Sequence, residues 1–134
     1  RVVFLRDAFY SPNSTDDNRK NVTVFTDNLE VLPGDVVKIE ADFRARLEDG
    51  SGNDDFYIRV EAEGGSGCST VFTNEKGWIR PDEGGSDHDN FKSMSYMEYI
   101  EVDCSGTYRF RVQIRNTGDD DWEVEDMVLF ATRY

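Results

Sequence analysis

The feature that most constrains this chain is a two-residue alternation of apolar and polar side chains. In the segment VVKIEADFRARL (36–47) every second residue from Val37 to Leu47 is apolar, and the residues between them are mostly charged. Such alternation is typical of a strand with one face on a core and the other in water. The same pattern recurs in 56–63 and in 107–115. These three segments therefore predict half-buried β-strands.

Weaker alternation suggests further strands, and no segment has a convincing helical period. The weaker candidates are 2–6, 22–32, 68–73, 94–102 and 122–132. About eight short strands in 134 residues predict a single all-β domain spanning residues 1–134. The expected architecture is an antiparallel β-sandwich of the jelly-roll type.

The connections between these strands fall into two groups. If each strand crosses the sandwich once, successive connections alternate between its two ends. The short turns 33–35, 64–67 and 103–106 then share one end. The long connections 6–21, 48–55, 74–92 and 116–121 share the other. Because the long connections are rich in Asp and Glu, we call them together the acidic rim.

Several features favour a secreted protein. Cys68 and Cys104 are the only cysteines, and the alternation of ends brings both to the short-turn end, which predicts one disulfide. Asn13 and Asn21 each begin a glycosylation triplet, which is used only in the secretory pathway. The sequence starts without methionine, as expected if a leader has been removed. No apolar run is long enough to insert into a membrane.

The charge balance restricts the partners of this chain. The sequence has 28 acidic and 15 basic residues and a net charge of −13, which disfavours nucleic acids and anionic membrane surfaces. Ca²⁺ suits the acidic rim, because irregular loops rich in Asp, Asn and Gly supply the oxygen ligands that it prefers. The simpler alternative is that these acids only keep the protein in solution. The predicted metal ligands in the loops are Asp54, Asp87, Asp89, Asp119 and Asp121.

The acidic rim also carries residues suited to binding a sugar. Trp78 and Trp122 lie at rim segments, where an aromatic ring could stack on the apolar face of a sugar such as galactose. The alternative is that both tryptophans fill the core. The predicted sugar-binding residues are Trp78, Asp87, His88, Asp89, Asn90, Asp119, Asp120, Asp121 and Trp122. His88 has no nitrogen or sulfur ligands near it in the sequence, which argues against zinc.

Catalysis is not expected, and the arginines have a structural explanation. No serine has a nucleophile motif around it, and nothing marks a carboxyl group with a raised pKa, so no catalytic residue is predicted. The residues Arg44, Arg46, Arg59, Arg109, Arg111 and Arg115 fall on outward positions of their strands. We expect them to form cross-strand charge pairs. A face that binds anionic glycans is the alternative.

Two segments resemble secreted jelly-roll carbohydrate-binding modules, including those attached to polysaccharide hydrolases. They are NLEVLPGDVVKIEADFRA (28–45) and CSGTYRFRVQIRNTGDDDWEVEDMVLFA (104–131). The resemblance implies a structural Ca²⁺ that joins an acid of the first strand region to one of the last strand, here Asp7 and Asp126. Asp126 also takes a place where the alternation calls for an apolar residue, so we expect it to be buried with a partner. The two glycosylation triplets and the long 74–92 loop look more like a free-standing calcium-dependent animal lectin.

Together these observations predict a secreted calcium-dependent lectin that binds a terminal sugar of glycans, galactose-type above all, at the acidic rim. Lectins gain avidity from several sites, so a homodimer or larger assembly is expected. Two alternatives remain open. One is a protein-interaction sandwich of the cytokine-like or complement-head-like kind, with the acids as solvated surface. The other is the polysaccharide-binding module of a glycoside hydrolase.

Overall fold

A computed structural model of the chain describes residues 2–10, 19–47, 56–78, 91–116 and 122–134. Within them it contains ten β-strands and no helix. The strands are β1 (Val2–Tyr10), β2 (Arg19–Asn21), β3 (Leu29–Val31), β4 (Val36–Leu47), β5 (Phe56–Gly64), β6 (Val71–Phe72), β7 (Lys76–Trp78), β8 (Lys92–Glu101), β9 (Gly106–Asn116) and β10 (Trp122–Arg133). No helix among these residues is long and apolar enough to cross a membrane.

The strands form two antiparallel sheets. The first sheet has the order β1-β10-β4-β8, and the second has the order β2-β9-β5-β6, with β3 also paired to β9 and β7 to β5. If β2 with β3, and β6 with β7, each count as one interrupted strand, the eight positions run 1-8-3-6 and 2-7-4-5. This is the strand order of a jelly roll, so the predicted fold class is confirmed.

The core lies between the sheets and consists of the side chains that the alternation assigned to it. Ile39 and Ala41 of β4, Val60 of β5 and Phe110 of β9 are all fully buried. Their neighbours along each strand face outward and are mostly charged. The core arises because each sheet turns its apolar face toward the other, as period-two patterning requires.

The segment 22–32, expected to be one strand, contains only β3, since β2 ends at Asn21 and an interruption separates the two strands. In the interruption the hydroxyl of Thr23 accepts a hydrogen bond from the backbone N–H of Val112, at 2.9 Å. The hydroxyl of Thr26 accepts one from the N–H of Phe110, at 3.1 Å. Threonine oxygens thus replace backbone carbonyls as partners of β9, so the chain leaves the strand path without losing these acceptors.

The segment 68–73 is also not a continuous strand. It contains only β6, and the same edge of the sheet continues after a gap as β7. Next to β6 the hydroxyl of Thr73 accepts from the N–H of Val60 at 2.8 Å, while the Thr73 N–H donates to the Val60 carbonyl. Because β6 and β7 together cross the sheet once, successive connections still alternate between the two ends of the sandwich.

A disulfide joins the two sheets at the short-turn end. Cys68 lies before β6 in the second sheet and Cys104 lies after β8 in the first, with 5.4 Å between their Cα atoms. The predicted disulfide is confirmed. Backbone segments approach closely beside it, since a Cβ atom on Gly106 would lie 1.8 Å from the carbonyl oxygen of Ser66. Any side chain at residue 106 would therefore push these two turns apart.

Candidate functional site

The strand ends that flank the acidic loops lie together at one end of the sandwich. In the first sheet Leu47 pairs with Trp122, next to the pairing of Ala45 with Lys92. In the second sheet Phe56 pairs with both Trp78 and Asn116. These residues begin or end the connections 48–55, 79–91 and 117–121. The expected shared end of these acidic connections is therefore confirmed at the level of the backbone.

Most of the predicted ligands in these connections lie outside the described residues. They are Asp54, Asp87, His88, Asp89, Asn90, Asp119, Asp120 and Asp121, together with the glycosylation candidate Asn13. Trp78 is the last residue of β7 and Trp122 the first of β10. The two tryptophans thus occupy the same end of the molecule in different sheets. Among the described residues, no group of three or more His, Cys, Asp or Glu could hold a metal ion.

Asp126 is not buried, contrary to the expectation from its place in the alternation. It lies in a β-bulge where β10 shifts register against β4, and its φ of 54° is left-handed. The bulge turns the side chain outward, where it is 63% exposed and lies 3.5 Å from Arg44. The register of β1 against β10 also shifts here. Ala8 of β1 pairs with Met127 of β10. Asp7 precedes Ala8 and Asp126 precedes Met127, so the two aspartates lie on adjacent strands.

Five arginines and four glutamates lie on the outer face of the second sheet. They are Arg19, Arg59, Arg109, Arg111 and Arg115 with Glu30, Glu61, Glu63 and Glu75, and we call this surface the arginine face. Arg109 donates to Glu63 at 2.7 Å, and Arg111 donates to Glu61 at 2.9 Å. These are the cross-strand pairs expected from the sequence, so that interpretation is confirmed here.

The end of the arginine face nearest the acidic rim carries a shared carboxylate. Glu75 accepts from Arg115 through both of its oxygens, at 2.9 and 2.7 Å, and also pairs with Arg19 at 2.5 Å. The hydrogen bond from Arg115 is the largest cause that lowers the pKa of Glu75 from its ordinary value. Two guanidinium groups therefore hold one carboxylate in its charged form.

Aromatic rings support the guanidinium groups of this face. Phe25, in the interruption between β2 and β3, lies 4.1 Å from the guanidinium of Arg109 and 4.2 Å from that of Arg111. In the same way Arg59 lies over Phe72 at 4.0 Å, and Arg115 lies over Tyr57 at 4.1 Å. Stacking on a ring orients a guanidinium group and leaves its edge N–H groups for hydrogen bonds.

Arg59 differs from the other four arginines of the face. Its Nε donates to Gln113 at 2.9 Å, but no carboxylate of the described residues is within ion-pair distance of it. Burial, followed by the positive charge of Arg19, lowers the pKa of Arg59 from its ordinary value. Gln113 in turn donates to Asn21 at 2.9 Å, so this glycosylation candidate lies in β2 on the same face.

A cleft of about 320 Å³ lies between the exposed edges of the two sheets, beside β6 and β8. Its walls include the carboxylates of Glu98, Glu101 and Asp103, which suit a polar ligand that donates hydrogen bonds. Side chains occupy the edge of β8. Lys76 of β7 donates to the carbonyl of Met97 at 2.6 Å, and Glu98 accepts from the N–H of Tyr99 at 3.2 Å. Added strands would have to displace these bonds.

Sequence reasoning missed the aromatic partners of the arginines and the cleft. Phe25 lies in a segment read as a continuous strand, where its role as a stacking partner was hidden. Phe72 pairs with outward-facing Glu61, so its outward position required the register of β6 against β5. The cleft depends on how far apart the edges of two sheets lie, and no local pattern encodes that distance.

Comparison with known proteins gives the fold alone. No protein-family model matches the chain, and no curated protein matches its sequence. The VP2 subviral particle of infectious bursal disease virus aligns over 98% of this chain and 32% of its own, with a TM-score of 0.61 and 8% identity. Eiger TNF from S. frugiperda aligns over 98% and 90%, with a TM-score of 0.54 and 9% identity. The chain thus spans about a third of the length of the viral proteins that it matches.

A xylan-binding CBM22-1 domain of Paenibacillus barcinonensis Xyn10C aligns more loosely, over 95% of this chain and 92% of its own. The TM-score is 0.43 and the identity 12%. A shared jelly-roll fold hosts unrelated functions, so function has to be argued from sites.

Proposed function

We propose that this protein is a secreted, non-enzymatic, calcium-dependent lectin that binds a terminal sugar of galactose type at the acidic rim. The observation that carries the proposal is the position of Trp78 and Trp122 at the end where the flanks of three acidic connections meet. The disulfide between Cys68 and Cys104 agrees with an oxidising, extracellular location.

The chemistry of the rim fits this ligand. Ca²⁺ takes oxygen ligands from carboxylates and loop carbonyls, which Asp87, Asp89, Asp119 and Asp121 would supply. Neighbouring sugar hydroxyls would donate hydrogen bonds to the remaining carboxylates, and an aromatic side chain would cover the apolar face of the sugar. On the resemblance to carbohydrate-binding modules, a further structural Ca²⁺ would lie between Asp7 and Asp126.

The experiment is a glycan array probed in millimolar Ca²⁺ and again after chelation with EDTA. We expect binding to galactose-terminated glycans that EDTA abolishes. The variant Asp119→Asn/Asp121→Asn should lose this binding. Asp103→Asn/Asp35→Asn removes the same charge at the opposite end and should retain it. Failure of wild-type protein to bind any glycan in either condition would overturn the proposal.

A protein-interaction sandwich is the second candidate, favoured by one observation on the first sheet. Met97 and Tyr99 of β8 are 46% and 52% exposed on its outer face. The register places Met97, Glu40 and the half-buried Phe130 in one row across that face. Exposed apolar side chains close together on a sheet face, here Met97 and Tyr99 beside Glu40, are typical of a contact surface.

Sedimentation velocity separates the two candidates. The lectin proposal expects a homodimer or larger assembly whose glycan binding survives in Met97→Ser/Tyr99→Ser. If that variant becomes monomeric, while the wild-type protein binds no glycan, the protein-interaction candidate replaces the lectin.

A further inference from the structure

We propose that the arginine face is a second binding surface, and that its ligand is a linear glycan carrying sulfate or carboxylate groups. The surface is separate from the acidic rim, so this proposal does not rest on the lectin proposal.

The arginine face carries a local surplus of positive charge. The described residues of the arginine face carry five arginines against four glutamates, a surplus of one positive charge on a chain whose net charge is −13. Arg59 contributes to this surplus, because its Nε donates to Gln113 and it makes no ion pair with a described carboxylate. The rest of the chain repels a polyanion, so a bound anion would be confined to this face.

The guanidinium groups of β9 follow one another along the strand. Arg109, Arg111 and Arg115 lie on one side of β9, so the steps along the strand are about 7 Å or twice that. A guanidinium group has five N–H donors. Arg111 uses its Nε for Glu61, and Arg59 uses its Nε for Gln113. The remaining N–H groups suit the planar or tetrahedral oxyanions of a glycan that lies along the sheet.

The aromatic rings of this face disfavour nucleic acid as the ligand. Single-stranded nucleic acid binds proteins by stacking bases on exposed aromatic rings. On the arginine face, guanidinium groups lie against Phe25, Phe72 and Tyr57. Base stacking would have to displace these arginines, whereas oxyanions would bind their edges without disturbing the stacks.

The test measures binding of a heparin decasaccharide by isothermal titration calorimetry in about 0.1 M salt. The protein is produced without N-glycans, because a glycan on Asn21 would cover the surface. We expect Arg59→Gln to weaken binding about tenfold, as for loss of a charge-assisted hydrogen bond. We expect Glu75→Gln to tighten binding, because it removes a carboxylate that competes for Arg19 and Arg115. EDTA should change neither result.

Arg44→Gln is the matched control, because it removes the same charge from the first sheet, where Arg44 pairs with Glu125. It should leave the affinity within about twofold. Equal losses in Arg59→Gln and Arg44→Gln would overturn the proposal, since only net charge would then matter. Equally tight binding of polyglutamate or single-stranded DNA would also overturn it. A desulfated decasaccharide that still binds would identify the carboxylates as the groups recognised.

Discussion

At the scale of single residues, Asp126 combines a backbone requirement with an exposed side chain. Its φ of 54° is a conformation that Gly, Asn and Asp adopt more readily than other residues. We expect Asp126→Ala to lower the free energy of unfolding by about 1 kcal/mol without Ca²⁺. Asp126→Gly and Asp126→Asn should be close to neutral. Urea denaturation in EDTA measures all three, and an equal loss in all of them would show that the carboxylate, not the backbone, stabilises this position.

The buried side chain of Tyr96 should make the fold less stable at high pH. Burial raises its pKa to about 12, although the hydrogen bond with Thr73 opposes this change. Above about pH 10 the tyrosine ionises in the unfolded chain but stays protonated in the fold. The fold should therefore lose about 2–3 kcal/mol of stability between pH 10 and 12, and lose none of it below pH 10.

Urea denaturation between pH 9 and 12 measures this loss. Tyr96→Phe should flatten the pH dependence, whereas Tyr134→Phe, which changes an exposed tyrosine, should not. If the free energy of unfolding fell with pH equally steeply in both variants, Tyr96 would not be the cause of the loss.

At the scale of elements, threonine hydroxyls support both interrupted edges of the second sheet. Thr73 is buried, and its hydroxyl accepts a hydrogen bond from the N–H of Val60 in β5. The variant Thr73→Val therefore leaves this N–H without that acceptor. We expect a loss of about 1–3 kcal/mol in the free energy of unfolding. Thr70→Val is the control, since Thr70 accepts from Gly64 at an exposed site and should cost less. Equal costs would mean that burial does not set the strength of these bonds.

The disulfide between the two turns should contribute strongly to the stability of the fold. Cys68 and Cys104 are separated by 36 positions, a loop whose closure restricts the unfolded chain. The chain-entropy model gives about 3–4 kcal/mol for such a loop. We therefore expect Cys68→Ser/Cys104→Ser to unfold at a much lower temperature in calorimetry. An unchanged midpoint would show that the contacts between the two turns suffice without the bond.

Strands were predictable where side-chain patterning decides the structure, and not elsewhere. The alternation from Val37 to Ala45 identifies both the strand and its buried face. The same kind of pattern around Thr23 and Thr26 predicts a strand that does not form, because a threonine hydroxyl can replace the carbonyl that a strand would supply. Asp126 was misread for a related reason, since a bulge shifts the register without leaving a mark in the pattern.

The candidate site was predictable in position but not in detail. The alternation of ends located the flanks of the acidic connections, because it depends only on the number of strand crossings. The stacking of Phe25 between Arg109 and Arg111 was not predictable, since it depends on where an irregular segment passes over a neighbouring strand. The pairing of Arg109 with Glu63 was predictable, because both occupy outward positions of their strands.

At the scale of the whole molecule, the lectin proposal predicts a calcium-dependent thermal stability. A ligand that binds only the folded state stabilises it by about 2.7 kcal/mol at a hundred times its dissociation constant. We expect millimolar Ca²⁺ to raise the unfolding temperature and EDTA to reverse the change. The control is NaCl at the same ionic strength, because screening a net charge of −13 also stabilises the fold. Equal effects of the two salts would contradict a specific calcium site.

The order of strands has a consequence for how the protein is made. In the first sheet β10 lies between β1 and β4, and in the second β9 lies between β2 and β5, so strands that are synthesised after their partners occupy central places. While β10 is still within the ribosome, β1 lacks the partner that it has in the folded sheet. Neither sheet can therefore be completed until β9 and β10 have left the ribosome, and until then the nascent chain exposes unpaired strand edges that favour aggregation.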